Sequence, residues 1–171
     1  MSKNSVLATK YRPRVFDDLI GQDIIRDTIY NSIQSNKIPN AYLLTGIRGT
    51  GKTTLARLIA KSLMCVNGIE NLCKEKFCEN CESISNSNNL DVLEMDSANK
   101  TSVNDVRELI EIAKFPPTLG KYKIYILDEA HQMSSSAMSA LLKTLENPPS
   151  YLKIIFSTTD PRKLPVTILS R

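Results

Sequence analysis

The sequence contains no tryptophan, and only 6% of its 171 residues are aromatic. We therefore expect an aliphatic core of isoleucine, leucine and valine. Long apolar runs are also missing, because no stretch approaches the ~18 residues that a membrane helix requires. The N-terminal segment MSKNSVLATKYRPR lacks the apolar stretch of a signal peptide. We therefore predict a cytoplasmic protein with no membrane partner.

Strong charge is absent as well. The net charge is +4 and the isoelectric point is near 8.9. This mildly positive net charge is compatible with a nucleic-acid partner but does not indicate one. The apolar share of 42% is ordinary for a globular protein, and the length suits one compact domain, or one domain plus an insertion.

Cysteine is absent outside residues 65–81, where all four cysteines of the chain lie. Cys65, Cys73, Cys78 and Cys81 follow the spacing C-x₇-C-x₄-C-x₂-C. In a reducing compartment, such a group more often binds metal than forms disulfides. We predict a closed, structural Cys₄ zinc site in a polar loop. Free thiols or two disulfides are the alternatives.

Strands and helices alternate along the chain. Short apolar runs predict strands, and apolar residues at helical spacing predict helices between them. This order indicates an α/β fold with a parallel sheet covered on both faces, whose chemistry sits at the carboxyl ends of the strands. The predicted strands are 41–46, 90–96, 123–131 and 153–160, and the predicted helices are 53–63, 101–115 and 134–149.

The stretch GIRGTGKT at residues 46–53 matches the pattern G-x-x-x-x-G-K-S/T between a predicted strand and a predicted helix. Its glycines let the backbone curl so that N–H groups point at phosphate oxygens. Lys52 suits the β- and γ-phosphates, and the Thr53 hydroxyl suits Mg²⁺. A glycine-rich turn with an incidental lysine is the alternative. The predicted nucleotide-binding residues here are Gly46, Ile47, Arg48, Gly49, Thr50, Gly51, Lys52, Thr53 and Thr54.

Asp128 and Glu129 end the third predicted strand, in the sequence ILDEAH. Two adjacent carboxylates there are costly without a cation or a water network. Beside a phosphate loop, Asp128 would hold Mg²⁺, and Glu129 would polarise the attacking water. The alternative is an acidic helix cap, because Ser134 follows. We interpret His131, the only histidine, as a hydrogen-bonded turn residue, with a sensor of the site or a metal ligand as alternatives.

The string DEAH at residues 128–131 also spells a box used by a class of nucleic-acid helicases. The stretch STT at residues 157–159 lies roughly where the next motif of such a helicase would be. A helicase of that class needs a second nucleotide-fold domain, which a chain of 171 residues cannot hold. A helicase fragment is therefore a minor alternative.

Four segments together resemble one family, the bacterial DNA polymerase III gamma/tau subunit, which is the ATPase of the sliding-clamp loader. They are ATKYRPRVFDDLIGQ (8–22), GIRGTGKTTLARLIAKSL (46–63), LDEAHQMSSSAMSALLKTLENPP (127–149) and STTDPRKLPVTILSR (157–171). The resemblance implies an AAA+ P-loop NTPase of three layers, with a five-stranded parallel sheet in the order 5-1-4-3-2. The second and third cysteines are four residues apart here, where the family typically has two.

The resemblance also implies roles for single residues. Thr159 matches the polar residue that senses the γ-phosphate, and Arg171 matches the arginine finger inserted into a neighbouring subunit's site. Flat apolar surface on Tyr11 and Pro13 suits a base. The residues implied for the adenine pocket are Tyr11, Arg12 and Pro13 of YRP, with Ile20, Gly21 and Gln22 of IGQ.

The family continues into a helical lid and a collar domain. We therefore expect residues 1–171 to be a nucleotide-binding domain truncated before the lid, with a zinc-binding insertion at 65–81. Because half of the adenine pocket is expected to be missing, we expect weak nucleotide binding and low or no ATPase activity in isolation.

The predicted function is that of the ATPase motor module of the DNA polymerase III clamp loader. Its expected cofactors are ATP or ADP, Mg²⁺ and Zn²⁺, and its expected partners are the delta and delta′ subunits, the sliding clamp and primed DNA. Such a subunit is grouped with a nucleotidyltransferase, but no deoxynucleotide-transfer site is evident in the chain. A non-catalytic assembly subunit is the alternative, against which the intact phosphate loop argues.

Overall fold

Four strands lie side by side in one parallel sheet, in a computed structural model that describes residues 11–69, 73, 76–97 and 102–170. Their spatial order is β1-β4-β3-β2, and all three neighbouring pairs are parallel. The carboxyl ends of the strands therefore share one edge of the sheet. The strands are β1 (Ala41–Thr45), β2 (Val92–Asp96), β3 (Lys123–Asp128) and β4 (Leu152–Thr158).

Helices follow the strands and cover both faces of the sheet, as the alternating pattern predicts. The described residues also contain three short 3₁₀ turns, at Phe16–Asp18, Ala130–Gln132 and Pro161–Lys163. The helices are α1 (Asp23–Gln34), α2 (Lys52–Met64), α3 (Glu79–Ser85), α4 (Val103–Ala113), α5 (Ser135–Glu146) and α6 (Val166–Leu169).

The sheet separates two apolar layers, because alternate residues of its central strands face opposite sides. Ile124 and Ile126 of β3 pack with α1, α2 and α3 on one face. Tyr125 and Leu127 of the same strand pack with α4, α5 and α6 on the other. Helices on both faces of a parallel sheet make three layers, as predicted.

Serine residues begin the two longer helices of the second face. The Ser102 hydroxyl accepts a hydrogen bond from the Asp105 backbone N–H at 3.2 Å, so Ser102 is the N-cap residue of α4. Ser134 caps α5 in the same way. Such caps satisfy N–H groups that have no partner within the first helical turn.

Three helices were not predicted from the sequence, and strand β3 is three residues shorter than predicted. Helix α1 precedes the first strand, α3 begins within the cysteine segment and runs past it, and α6 follows the last strand. Strand β3 ends at Asp128, not at residue 131, because Glu129 adopts a left-handed backbone with φ of 49° and a 3₁₀ turn begins directly after it. The acidic pair therefore lies at the turn itself.

The prediction of five strands, which the resemblance implied, is wrong for the described part of the chain. After β4, the residues up to 170 form a 3₁₀ turn and the short helix α6. Pro161 and Pro165 cannot donate ladder hydrogen bonds there. The four strands present nevertheless keep the predicted order 1-4-3-2. Among the described helices, none has the length and the apolar character needed to cross a bilayer.

Candidate active site

A cleft of about 920 Å³ opens at the carboxyl edge of the sheet. It lies where the turns after β1, β3 and β4 meet, because parallel strands deliver their ends to one edge. Ten of the residues predicted from the sequence for nucleotide binding line it, namely Tyr11, Arg12, Pro13, Ile47, Arg48, Gly49, Gly51, Lys52, Thr53 and Thr54. The predicted catalytic residues Asp128, Glu129 and Thr159 line the same cleft.

The phosphate loop joins β1 to α2 and depends on glycine at two positions. Gly49 has φ of 87° and Gly51 has φ of 84°, in the left-handed region that other residues rarely adopt. Gly51 is the N-cap residue of α2, and no side chain caps this helix. The first backbone N–H groups of α2 therefore face the loop, and a helix N-terminus of this kind attracts anions.

Lys52 reaches back across the loop. Its Nζ donates to the carbonyl oxygens of Gly46 at 3.0 Å and Ile47 at 3.1 Å. These are weak acceptors compared with phosphate, whose hydrogen bonds to an ammonium group are charge-assisted. The side chain is therefore already placed over the loop in which a phosphate would sit.

Asp128 is fixed from three directions at the end of β3. The Thr53 hydroxyl at the start of α2 donates to its Oδ2 at 2.6 Å, although the two residues are 75 positions apart. Its Oδ1 accepts hydrogen bonds from the Ser157 hydroxyl and from the Glu129 backbone N–H. The carboxylate is thus joined to the phosphate loop and to β4 together.

Glu129 turns its carboxylate toward the end of β4. Its Oε2 accepts hydrogen bonds from the Thr159 backbone N–H at 3.3 Å and from the Thr159 hydroxyl at 3.1 Å. The left-handed backbone at Glu129 turns the chain sharply at the end of β3. The predicted base and the predicted γ-phosphate sensor are therefore in direct contact.

His131 is a hydrogen-bonded turn residue, as interpreted from the sequence. It lies in the 3₁₀ turn Ala130–Gln132, and its Nδ1 is 2.8 Å from the Thr158 hydroxyl. The same nitrogen is 3.4 Å from Glu129 Oε2. His131 does not join the group of metal-ligating side chains found among the described residues, which consists of the cysteines alone.

Among the described residues, five predicted site residues do not line the cleft, namely Ile20, Gly21, Gln22, Gly46 and Thr50. Gly21 has φ of 76° in the turn before α1, and Gln22 is the N-cap residue of that helix, but neither lines the cleft. Their place in an adenine pocket stays a prediction. Arg171 lies outside the described residues, so its predicted role as an arginine finger stays a prediction as well.

Sequence reasoning missed several residues of this site. Asp96 and Gln132 line the cleft. Ser157 forms a hydrogen bond with Asp128, and Thr158 forms one with His131. Asp96 is the last residue of β2, so the rule that chemistry gathers at strand ends could have found it. No sequence motif indicates the contacts of Ser157 and Thr158.

The four cysteines form a second cluster of chemically reactive side chains, at the C-terminal end of α2, whereas the phosphate loop lies at its N-terminal end. Their sulfur atoms lie within 4.8 Å of one another, and those of Cys65 and Cys73 are 3.7 Å apart. Cys65, Cys73 and Cys81 are buried with Phe77 packed against them. The prediction of a polar loop is therefore too simple, because Cys81 lies in α3 and is only 2% exposed.

The thiols have unequal acidity. Burial of Cys81, with further contributions from the neighbouring thiols, raises its pKa. Burial also acts to raise the pKa of Cys78, but hydrogen bonds with the backbone of Val66 and Cys81 outweigh it and lower this pKa to about 7. The cluster therefore offers a thiolate, the form that binds metal, near neutral pH.

The fold and the site together define a P-loop NTPase-like protein. Solved structures share the fold at low identity. RuvB of Thermotoga maritima, a Holliday junction branch migration motor, has a TM-score of 0.62 at 18% identity, over 94% of this chain and 46% of that chain. A DNA polymerase III gamma subunit-related protein of Thermotoga maritima has a TM-score of 0.54 at 20% identity, over 87% and 43%.

The chain belongs to the family described as "DNA polymerase III, delta subunit", whose profile matches residues 21–171. Curated relatives are named after other subunits of that polymerase. The chain is 48% identical over 167 residues to the DNA polymerase III subunit tau/gamma of Haemophilus influenzae, and 45% identical over 166 residues to the subunit tau of Escherichia coli. The predicted resemblance to gamma/tau subunits is confirmed.

These matches cover 97% of this chain but only part of each relative. The chain spans 24% of the Haemophilus influenzae subunit and 26% of the Escherichia coli subunit. It spans 45% of the DNA polymerase III subunit gamma of Buchnera aphidicola subsp. Baizongia pistaciae, to which it is 46% identical. The similarity therefore concerns one region of larger proteins.

Proposed function

We propose that this chain is the ATP-binding and ATP-hydrolysing module of a DNA polymerase III clamp-loader subunit. The observation that carries the proposal is the hydrogen bond from Thr53 to Asp128. It joins the helix behind the phosphate loop to an acidic strand end far along the chain, which an incidental glycine turn would not require. The names of the relatives support placing this activity in DNA polymerase III.

The phosphates of ATP would occupy the loop at residues 46–53. Lys52 and the N-terminal end of α2 would balance their charge. Tyr11 and Pro13 line the same cleft and offer flat surface for the base. Tyr11 is 72% exposed, so stacking of a base against it would bury surface that is now open.

Thr53 and Asp128 supply the oxygen donors that Mg²⁺ prefers. They already lie together, with 2.6 Å between Thr53 Oγ1 and Asp128 Oδ2, so the donor set fits this ion. When bound, Mg²⁺ would neutralise charge on the β- and γ-phosphates. The contacts of Asp128 with Ser157 and with the Glu129 backbone would keep its carboxylate oriented toward that position.

Glu129 would accept the hydrogen bond of the attacking water and polarise it. Its carboxylate now accepts hydrogen bonds from Thr159. Because a γ-phosphate oxygen is also an acceptor, it would compete with Glu129 for the Thr159 hydroxyl. Binding of ATP would thereby free the carboxylate for the water.

Work on a sliding clamp requires more than this module. We place it in a hetero-oligomer with delta and delta′ subunits, where ATP at subunit interfaces drives opening of the clamp on primed DNA. Arg171 would supply the neighbouring site with a guanidinium group, which keeps its charge while phosphate charge redistributes. Residues 1–171 would form the nucleotide-binding domain of the subunit.

The cysteine group at residues 65–81 would hold a structural Zn²⁺. Zinc–sulfur bonds of ~2.3 Å in a tetrahedron place sulfur atoms about 3.8 Å apart. The separation of 3.7 Å between the sulfurs of Cys65 and Cys73 fits this value, and all four sulfurs lie within 4.8 Å. Four thiolate ligands leave no open position, so this metal would stabilise the segment and take no part in hydrolysis.

Binding of a fluorescent ATP analogue to Lys52→Ala tests the nucleotide site. We expect the Kd to rise about 10- to 150-fold, since a charged hydrogen-bonding group is worth about 1.5–3 kcal/mol. Lys143→Ala, at an exposed lysine of α5, is the matched control and should bind like the wild type. Equal affinities of Lys52→Ala and wild type, or no binding by wild type, would contradict the proposal and favour a non-catalytic assembly subunit.

A further inference from the structure

Lys61, in the last turn of α2, is a buried ammonium group that the proposed reaction does not use. Its residue is only 7% exposed. Its Nζ donates to the carbonyl oxygen of Arg14 at 3.0 Å and lies 4.9 Å from the centre of the Phe77 ring. Neither contact carries a negative charge, although a buried cation needs compensation.

One source of negative charge lies on the side of the cysteine cluster, and the carboxylate of Asp18 is a second charged neighbour of Lys61. Lys61 lines a small cavity of about 10 Å³ together with Cys73 and Cys81. Phe77 packs against the cysteines and also against the lysine ammonium. The Lys61 side chain is therefore a direct neighbour of the cluster.

Four thiolates around one divalent cation leave a net charge of two negative units on the site. Such a charge in a buried position is stabilised by nearby cations, and outer groups of this kind tune metal affinity. The buried cation and the buried anion would therefore stabilise each other.

The same ammonium also holds the segment that leads into the nucleotide cleft. Arg14, whose carbonyl it binds, directly follows Arg12 and Pro13, which line that cleft. A second cleft of about 340 Å³ connects the two regions, with Pro13, Lys61 and Phe77 in its walls. The Lys61 side chain therefore reaches from the cysteine cluster to the segment that leads into the nucleotide cleft.

We infer that Lys61 is a positioning residue that couples the metal-loaded cysteine cluster to nucleotide binding. It supplies the counter-charge of the cluster and uses the same ammonium to fix the carbonyl of Arg14, and thereby the segment at residues 11–13. This inference rests on the proposed zinc and ATP sites. It predicts that loss of the metal weakens nucleotide binding although the cysteines do not line the cleft.

The test compares Lys61→Met with Lys153→Met. Lys153 is a buried lysine of β4, 4% exposed, whose Nζ donates to Asn40 Oδ1 at 2.7 Å and lies 5.4 Å from the Tyr122 ring centre. It therefore matches Lys61 in burial and in its aromatic contact, but it does not line the cavity that Lys61 shares with Cys73 and Cys81. Zinc affinity is measured by competition with a chromophoric chelator, and nucleotide affinity with a fluorescent ATP analogue.

We expect Lys61→Met to lose 10- to 100-fold in zinc affinity, the range typical of groups that support metal ligands. Its nucleotide Kd should rise about threefold to tenfold, the effect of losing one hydrogen bond. Lys61→Arg should keep zinc affinity within about threefold, because it retains the charge. Lys153→Met should lower the melting temperature and leave both affinities unchanged.

Chelation provides the second arm of the test, and it does not depend on whether a variant folds. Removal of zinc from the wild type should raise its nucleotide Kd to that of Lys61→Met, and chelation should change Lys61→Met little further. Unchanged nucleotide affinity on chelation would overturn the coupling, as would equal zinc affinities of Lys61→Met and Lys153→Met. Wild-type protein that binds neither zinc nor nucleotide would instead contradict the proposed function.

Discussion

Helix α2 carries a different kind of site at each of its ends. Its N-terminal end follows Gly51 and faces the phosphate loop, whereas its C-terminal end runs directly into Cys65 and the cysteine cluster. The helix dipole places about half a positive charge at the first end and half a negative charge at the second. The first end therefore attracts an anion, while thiolates at the second need a cation.

The two ends also differ in what builds them. The phosphate loop is built by backbone, and the Gly46 N–H donates to the Thr158 carbonyl at 3.3 Å to tie it to the sheet. The cysteine cluster is built by side chains whose close sulfur atoms repel one another once they ionise. The phosphate end is therefore organised before any ligand binds, whereas the cysteine end would depend on the proposed zinc.

The largest effect is expected on ATP hydrolysis, from a substitution that alters only the site at the phosphate end. Glu129→Gln keeps the shape of the side chain but removes the base, so we expect single-turnover ATP hydrolysis to fall about 10²- to 10⁴-fold. Nucleotide affinity and zinc content should not change. Glu108→Gln, at an exposed position of α4, is the control and should hydrolyse ATP like the wild type. Hydrolysis at the wild-type rate in Glu129→Gln would remove Glu129 from the reaction.

A somewhat smaller effect is expected on the free energy of unfolding, from a substitution in α2 that weakens the support of both ends. Ile59 lies in the middle of α2 and is fully buried. Ile59→Ala leaves a cavity, and we expect the free energy of unfolding in urea to fall by about 2–5 kcal/mol. The control Ile112→Ala, at the exposed face of α4, should cost roughly 0.5 kcal/mol. If the two variants were equally stable, α2 would not be the common support of the two sites.

The smallest expected effect belongs to the cysteine end. The Asn80 side chain of α3 is buried and donates to the Met64 carbonyl at the end of α2, at 3.0 Å. We expect Asn80→Ala to cost about 1 kcal/mol and to speed hydrogen exchange in α3 while the phosphate loop keeps its protection. Asn104→Ala, at an exposed position of α4, should change neither. Faster exchange in the phosphate loop of Asn80→Ala would show that the Asn80 contact supports that loop as well as α3.

The phosphate end could be predicted from sequence in nearly every part. The loop lies between a strand and a helix that follow each other directly, so a local pattern contains its geometry. Asp128 and Glu129 could be placed beside it because parallel strands deliver their ends to one edge. The contact of Thr53 with Asp128 follows from the same rule.

The cysteine end could be predicted only as a list of ligands. Helix α3 has seven residues, too few for a clear period, and it is held by packing and by Asn80. The role inferred for Lys61 could not be predicted, because a lysine in a helix pattern usually faces water. Lys61 is buried because the N-terminal segment and Phe77 pack against it. No local sequence pattern predicts this long-range packing. The fifth strand was implied by family resemblance alone, and no apolar run among the described residues after β4 supports it.

The left-handed backbone of Glu129 lowers the stability of the fold at the position where the proposed reaction needs a carboxylate. A residue other than glycine costs about 1–3 kcal/mol in such a conformation, and φ is 49° here. Glycine at position 129 would relieve that strain but would carry no carboxylate. A collection of variants selected for heat resistance alone would therefore drift toward glycine at this position and lose ATP turnover. Under the proposed function, the acidic residue would be kept there only as long as hydrolysis is under selection.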